Sequence, residues 1–197
     1  MIRELSSGVG KWLEREGAIP DEDINIFSYA AYSLLLGLLP ILIILLLGLA
    51  FGMVKEGLLL IAPFMTIRKF SGGYHLSSLR RCIILSSSLL TLSMGLVKVI
   101  TYRECGILLT VFVFLSVLCL CVFSPIENNA RKLTAKEKKL FHIIACILAV
   151  IAMITYLIMY KSSNIQYASA FGVGIILVAT LQIPCAIILA EQHHPSQ

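Results

Sequence analysis

One polar cluster in the chain holds both a base and a nucleophile. His75 and Cys82 lie seven residues apart within residues 68–82, which read Arg-Lys-Phe-Ser-Gly-Gly-Tyr-His-Leu-Ser-Ser-Leu-Arg-Arg-Cys. A neutral imidazole can take the proton of a thiol, and the resulting thiolate can attack a carbonyl carbon. This chemistry requires the two side chains to come within hydrogen-bonding distance. The pair therefore suggests cysteine-based acyl transfer.

The spacing of this pair restricts the backbone that can bring it together. On one straight helix His75 and Cys82 would lie about 10.5 Å apart along the axis, which is too far. A Gly-Gly pair at residues 72–73 interrupts regular structure, and either serine of residues 77–78 is a good N-cap for a helix beginning at Leu79. We therefore expect His75 on a bent segment over the start of that helix, with Cys82 in or near its first turn.

The first turn of a helix is a favourable environment for a thiolate. The positive helix end and the neighbouring Arg80 and Arg81 would both stabilise ionised Cys82. Backbone N–H groups at the same helix end could hold the oxyanion of an acyl-transfer intermediate. Spacing alone favours a simpler interpretation, a juxtamembrane loop in which His75 is solvated and Cys82 is a small packing residue.

A second histidine also precedes a cysteine, and its position predicts packing rather than chemistry. His142 lies four residues before Cys146 at the start of an apolar run. Every cysteine except Cys82 lies in or beside such a run and is most simply a small apolar packing residue. Ligands at zinc spacing cannot be assembled from His75, Cys82 and these cysteines, so we predict no metal site and no cofactor.

The elements that must position this cluster belong to a membrane protein. Of 197 residues, 58% are hydrophobic and 14% are charged, and the mean hydropathy is +0.92. Soluble domains carry about 25% charged residues, so this chain has too little charge to cover its surface in water. The composition disfavours a soluble enzyme and a nucleic-acid-binding protein, and it predicts an all-α, polytopic membrane protein.

Six apolar runs predict six transmembrane helices in one domain that covers residues 1–197. They are residues 24–54, 57–67, 82–100, 104–123, 140–160 and 165–190. Lys55 and Glu56, between the first two runs, are expected to form a turn. The second run has eleven residues, so it is either continued by the polar residues after it or crosses a locally thinned bilayer. Pro40 could kink or divide the first run. Residues 1–20 are expected to form a short amphipathic helix, lying in the membrane interface or packed on the spans.

The basic residues predict the orientation of the chain. Lys and Arg total 16, and twelve of them lie in three segments. These are the N-terminal segment, residues 68–81, and a basic loop at residues 124–139. By the positive-inside rule the three segments and both termini face the cytoplasm.

The cluster and its setting resemble the accessory gene regulator B family. The resemblance rests on Arg68, Gly73, His75 and Cys82 at the mouth of a span in a chain of about 200 residues, and on a basic loop that begins Ser-Pro-Ile-Glu-Asn-Asn at residue 124. Proteins of this family are membrane-embedded cysteine endopeptidases of Gram-positive quorum sensing. They cut a C-terminal tail from a small propeptide and close the remaining peptide into a thiolactone or lactone.

The resemblance implies roles for four residues of this chain. It makes Cys82 the nucleophile and His75 its general base, and it gives Arg68 and Gly73 supporting or substrate-binding roles. The implied partner is a small amphipathic propeptide with an acidic C-terminal tail, AgrD-like, together with membrane lipids and no nucleic acid. Gly172 and Gly174 would permit close helix packing, including packing in a homodimer.

Two departures from the family pattern bear on substrate choice. The first span reads Tyr-Ala-Ala-Tyr at residues 29–32, where the family often has a glycine and an acidic or amide residue. The basic loop reads Asn-Asn-Ala-Arg at residues 128–131, without the proline that is common there.

Two other functions are open at the level of sequence. A non-enzymatic membrane transporter or peptide exporter would use His75 and the hydroxyls of the third span to line a route. Replacement of Cys82 separates the two readings, because an exporter should tolerate it. A metal-dependent lipid-modifying enzyme would be expected to carry intramembrane carboxylates, and none is evident in the long spans.

Overall fold

The computed structural model describes residues 2–17, 20, 23–71, 79–103, 105–125, 134–162 and 164–193. Within these residues the chain forms seven α-helices and no strand. They are α1 (Ile2–Arg15), α2 (Ile24–Phe51), α3 (Val54–Ser71), α4 (Leu79–Arg103), α5 (Gly106–Phe123), α6 (Ala135–Lys161) and α7 (Ile165–His193).

Among the described residues, five helices contain a stretch long and apolar enough to cross a membrane. These stretches are Ile24–Phe51, Ile83–Thr101, Gly106–Phe123, Ala135–Lys161 and Ile165–Gln182. Large apolar side chains such as Leu49, Ile107 and Val122 are at least 70% exposed, as expected of faces that contact lipid. The predicted all-α, polytopic membrane fold is confirmed.

Helix α3 is the short second apolar run of the sequence, and it extends beyond that run at both ends. It includes Lys55 and Glu56 in its first turn and Arg68 and Lys69 in its last. Its 18 residues give a length of about 27 Å at 1.5 Å per residue. The polar residues therefore continue the short run as helix, which is the first of the two alternatives raised by the sequence.

The connection between α2 and α3 lies at residues 52–53. Helix α2 runs through Pro40 without a break. Gly52 has a φ of 67°, a left-handed conformation that glycine adopts without steric cost. Lys55 and Glu56, which the sequence suggested as a turn, are helical, and Glu56 is buried where it accepts a hydrogen bond from Gln166.

The chain divides into two compact units, residues 1–43 and residues 44–197. In the second unit α7 packs against α3, α4, α5 and α6. Small residues of α7 allow this close approach: a Cβ atom on Gly174 would overlap the carbonyl oxygen of Leu60 in α3. A Cβ on Gly172 would lie 2.9 Å from Cε2 of Tyr156 in α6. The close packing predicted at these two glycines is thus made by helices of the same chain.

The connection from α5 to α6 is fixed at its two described ends. Ser124 caps the C-terminus of α5, where its backbone N–H donates to the carbonyl of Leu120. Thr134 caps the N-terminus of α6 in a capping box with Glu137, an arrangement that satisfies two backbone N–H groups. The last residues of the predicted basic loop, from Ala135 onward, are therefore the first turn of α6.

Candidate functional site

Two of the four residues that the sequence singled out lie in described helical turns. Arg68 lies in the last turn of α3, and Cys82 lies in the first turn of α4. Gly73 and His75 belong to residues 72–78, between these two helices, and lie outside the described residues.

Helix α4 begins at Leu79, as the serines before it predict, so Cys82 is its fourth residue. The N–H groups of the N-cap and of the first three residues of an α-helix have no carbonyl partner within the helix. They also form the positive end of the helix dipole. The backbone around Cys82 therefore offers hydrogen-bond donors and a positive potential, which suit a thiolate and an oxyanion.

The end of α3 is held by aromatic contacts. Arg68 is half-buried, and its guanidinium carbon lies 5.1 Å from the ring centroid of Phe64, one turn earlier in the helix. Phe70 packs against Phe141 of α6, with ring centroids 6.1 Å apart. These contacts hold the last turn of α3 against apolar side chains, just before residue 72.

Gln182 of α7 joins the ends of two other helices. Its side chain is 1% exposed, and its Nε2 donates to the backbone oxygen of Ser71 at 3.1 Å and to Oγ of Ser124 at 2.8 Å. Ser71 is the last residue of α3, and Ser124 follows the last residue of α5. Because a carbonyl oxygen can only accept, the contact with Ser71 fixes which end of the amide is the nitrogen.

The oxygen of this amide has no hydrogen-bond partner among the described residues. Among the described residues, Oε1 of Gln182 is the buried side-chain polar atom that accepts no hydrogen bond. A buried polar atom without a hydrogen bond lowers the free energy of unfolding by about 1–3 kcal/mol relative to a hydrogen-bonded one. Its presence at the point where α3 leads into residues 72–78 marks this place as unusual.

His142 extends the same set of contacts into α6. Its Nδ1 lies 2.6 Å from the backbone oxygen of Ser124, so Nδ1 carries a hydrogen, and Nε2 is the acceptor of the neutral ring. Nε2 lies 3.8 Å from Sγ of Cys146, which also lies 3.7 Å from the backbone oxygen of Cys121. The structure thus brings together the second histidine–cysteine pair, inside α6 rather than at a helix start.

Sequence reasoning missed Gln182 and Ser124 as members of one cluster. Gln182 is 111 positions from Ser71 and 58 from Ser124, so no local pattern connects them. The signal in the sequence was an amide near the end of a largely apolar run, since polar residues within membrane spans are costly and often functional; Gln166 near the start of the run is the other.

The comparisons with known proteins agree on one family. A family model described as "Accessory gene regulator B" matches residues 6–184. An AgrB-like protein 2 of Clostridium perfringens (strain 13 / Type A) is 26% identical over 145 residues, which cover 71% of this chain and 67% of the relative. An AgrB-like protein of Clostridium perfringens (strain SM101 / Type A) is 25% identical with the same coverage. No solved structure matches the chain significantly.

Proposed function

Because the chain belongs to the accessory gene regulator B family, we propose that it is a membrane cysteine endopeptidase of the agr quorum-sensing system. Its substrate is a small amphipathic peptide precursor with an acidic C-terminal tail. The enzyme removes the tail and transfers the new carboxyl group to a side chain of the same peptide, which closes a thiolactone or lactone ring.

The first step of the proposed reaction uses Cys82 and His75. The imidazole of His75 takes the thiol proton, and the thiolate of Cys82 attacks the scissile carbonyl carbon. N–H groups of the first turn of α4 stabilise the oxyanion. The C–N bond then breaks, the imidazolium gives its proton to the leaving amine, and the precursor remains attached as a thioester.

The second step conserves the energy of the cleaved bond. A thiol or hydroxyl of the bound precursor attacks the thioester, the ring closes, and Cys82 recovers its proton by way of His75. Water would hydrolyse the thioester instead, so the site must exclude it. The aromatic packing of Phe70 on Phe141 at the end of α3 supports such a sheltered site.

The charges of the second unit suggest how the precursor is oriented. Arg68 and the basic residues at the start of α6 would attract an acidic peptide tail and anionic lipid headgroups. We place this end of the helices and both chain termini on the cytoplasmic side of a bacterial cell membrane, as the positive-inside rule requires.

The observation that carries the proposal is the start of α4 at Leu79, which puts Cys82 in the first helical turn directly after the segment with His75. The test uses purified protein in liposomes with the small peptide encoded beside its gene, followed by intact mass. Wild type should release the tail and form an acyl adduct on Cys82. Cys82→Ala and His75→Ala should each lower cleavage by at least about 10³-fold, since residues that act as a unit fail together.

A transport measurement with the same liposomes distinguishes the peptidase from a peptide exporter. An exporter should transport the peptide across the liposome membrane with Cys82→Ala as well as with the wild type, and it should not cleave it. Cleavage that persists in Cys82→Ala would instead show that the nucleophile is another residue.

A further inference from the structure

The unsatisfied oxygen of Gln182 points to a ligand that the described residues do not supply. The side chain is 1% exposed, its amide nitrogen is engaged twice, and its Oε1 accepts no hydrogen bond within the described part of the chain. Because this atom is buried, bulk water does not satisfy it. A donor that arrives with the substrate would remove this cost.

The two bonds of Nε2 make the oxygen a fixed acceptor. Ser71 and Ser124 hold the amide from two helices, and the carbonyl of Ser71 prevents the amide from turning over. A preorganised acceptor binds more tightly than a mobile one, because little side-chain freedom is lost when the ligand binds. Gln182 therefore has the properties of a preformed substrate-binding residue rather than of a side chain that only packs.

The position of this acceptor indicates what it would bind. Gln182 bonds to Ser71, the residue at which α3 ends and the segment leading to Cys82 begins. A peptide bound for cleavage exposes its main-chain N–H groups, and each one that leaves water must find an acceptor. A main-chain N–H of an extended peptide is the donor that matches a neutral amide oxygen in an apolar setting.

We propose that Oε1 of Gln182 accepts a main-chain N–H of the peptide precursor close to its scissile bond. This inference rests on the proposed function and adds a substrate-binding residue on α7 to it. Gln182 contacts the substrate without taking part in bond making, so its loss should weaken binding and leave the chemical step intact.

Gln182→Met tests this residue, because methionine keeps the length and approximate volume of glutamine but has no amide. Peptide affinity should fall about tenfold, the worth of one neutral hydrogen bond, and KM should rise with kcat unchanged. Gln166→Met is the matched control: Gln166 lies on the same helix and bonds to Glu56, at the opposite end of α3. It should leave KM and kcat at wild-type values.

A set of modified peptides separates substrate contact from support of the fold. Each main-chain amide near the cleavage position is replaced singly by an ester, which removes one N–H. One ester should weaken binding to the Cys82→Ala protein about tenfold, and the same ester should have no effect when Gln182→Met is also present. When Gln166→Met is combined with Cys82→Ala instead, the same ester should still weaken peptide binding about tenfold.

The outcomes distinguish this inference from the proposed function. If wild type cleaves the peptide but every ester penalty survives in Gln182→Met, the inference is wrong and the cleavage proposal stands. If the ester penalty depends on Gln182 but no protein cleaves, the binding subsite stands and the peptidase proposal is wrong. If Gln182→Met lowers kcat at unchanged KM, the residue supports the position of residues 68–82 and does not bind substrate, which also overturns the inference.

Discussion

The chemical character of a cysteine in this protein depends on where in its helix it lies. Cys82 is the fourth residue of α4, directly after the backbone N–H groups that have no helical partner. Cys146 is the twelfth residue of α6, where every neighbouring N–H already donates to a carbonyl one turn earlier. Both have a histidine nearby in sequence, but the interior of a helix offers no donors to an oxyanion.

The first prediction contrasts these two thiols. We expect Cys146→Ser to keep cleavage within about twofold of wild type, because the Cys146 thiol faces His142 and the backbone of Cys121 in the interior of the helix pair. Serine preserves the size and the hydrogen bonding of the thiol. Cys82→Ser, the same change at the other site, should abolish thioester formation. Initial cleavage rates and intact mass of both variants provide the measurement.

The opposite pattern would identify a different nucleophile. If Cys146→Ser lost activity at unchanged thermal stability while Cys82→Ser kept it, the thiol–imidazole pair inside α6 would be the reactive one. The assignment of Cys82 would then have to be withdrawn.

At the level of the elements, the packing of α7 on α3 depends on the absence of a side chain. Gly174 meets the carbonyl of Leu60, and Pro63 Cγ lies 2.8 Å from where a Cβ would stand. A backbone carbonyl and a proline ring cannot rotate away as a flexible side chain can. The two helices would have to separate to accept even one methyl group, and Gln182 on the same helix would move with them.

The second prediction concerns this contact. Gly174→Ala should destabilise the protein by about 1–3 kcal/mol, the usual cost of overpacking. Gly95→Ala is the matched control, because Gly95 lies in α4 and no atom comes within 4 Å of the position that its Cβ would take. It should leave stability unchanged or raise it by up to about 1 kcal/mol through helix propensity. Thermal unfolding in detergent, followed by size exclusion, measures both; an equal response of the two variants would contradict the tight contact.

The helix ends show which parts of the fold the sequence could predict. The start of α4 at Leu79 was predictable because a capping serine acts within one turn of the helix it starts. The capping box of Thr134 and Glu137 is equally local, and the pattern Thr-Ala-Lys-Glu carries it, yet the basic residues around it suggested a loop. The turn before α3 was misplaced because charged residues outweighed Gly52, whose left-handed backbone makes the actual turn.

At the scale of the whole chain, hydropathy predicted the all-helical membrane fold but could not predict which helices meet. Polar atoms of α3, α5 and α7 join at Gln182, through residues 58 and 111 positions apart. Such contacts result from the packing of small residues along α7, which depends on all its neighbours together. Cys82, the proposed nucleophile, was accessible to sequence reasoning because the start of its helix is a local feature, whereas the contacts of Gln182 on α7 became visible only in three dimensions.

Whether α3 crosses the membrane decides the topology of the whole chain. It is absent from the five helices of the described residues that meet the length and hydropathy expected of a span, yet at about 27 Å it nearly matches a hydrocarbon core of about 30 Å. If it crosses, the spans number six and both termini lie on one side. If it does not, the chain has an odd number of crossings and the positive-inside rule is broken at one of its basic segments.

The third prediction is that α3 crosses. Lys55 and Lys69 are both exposed, one near each end of this helix. In a variant whose native cysteines are replaced, Lys55→Cys should react with a membrane-impermeant thiol reagent in intact cells, and Lys69→Cys should react only after the membrane is opened. Lys136→Cys, at the start of α6, should behave as Lys69→Cys does, because both belong to basic segments that the membrane potential and the insertion machinery retain in the cytoplasm. Labelling of Lys55→Cys and Lys69→Cys from the same side would mean that α3 does not cross the membrane. Lys136→Cys would still behave as Lys69→Cys does, because α4 and α5 both cross between them, but the two chain termini would then lie on opposite sides.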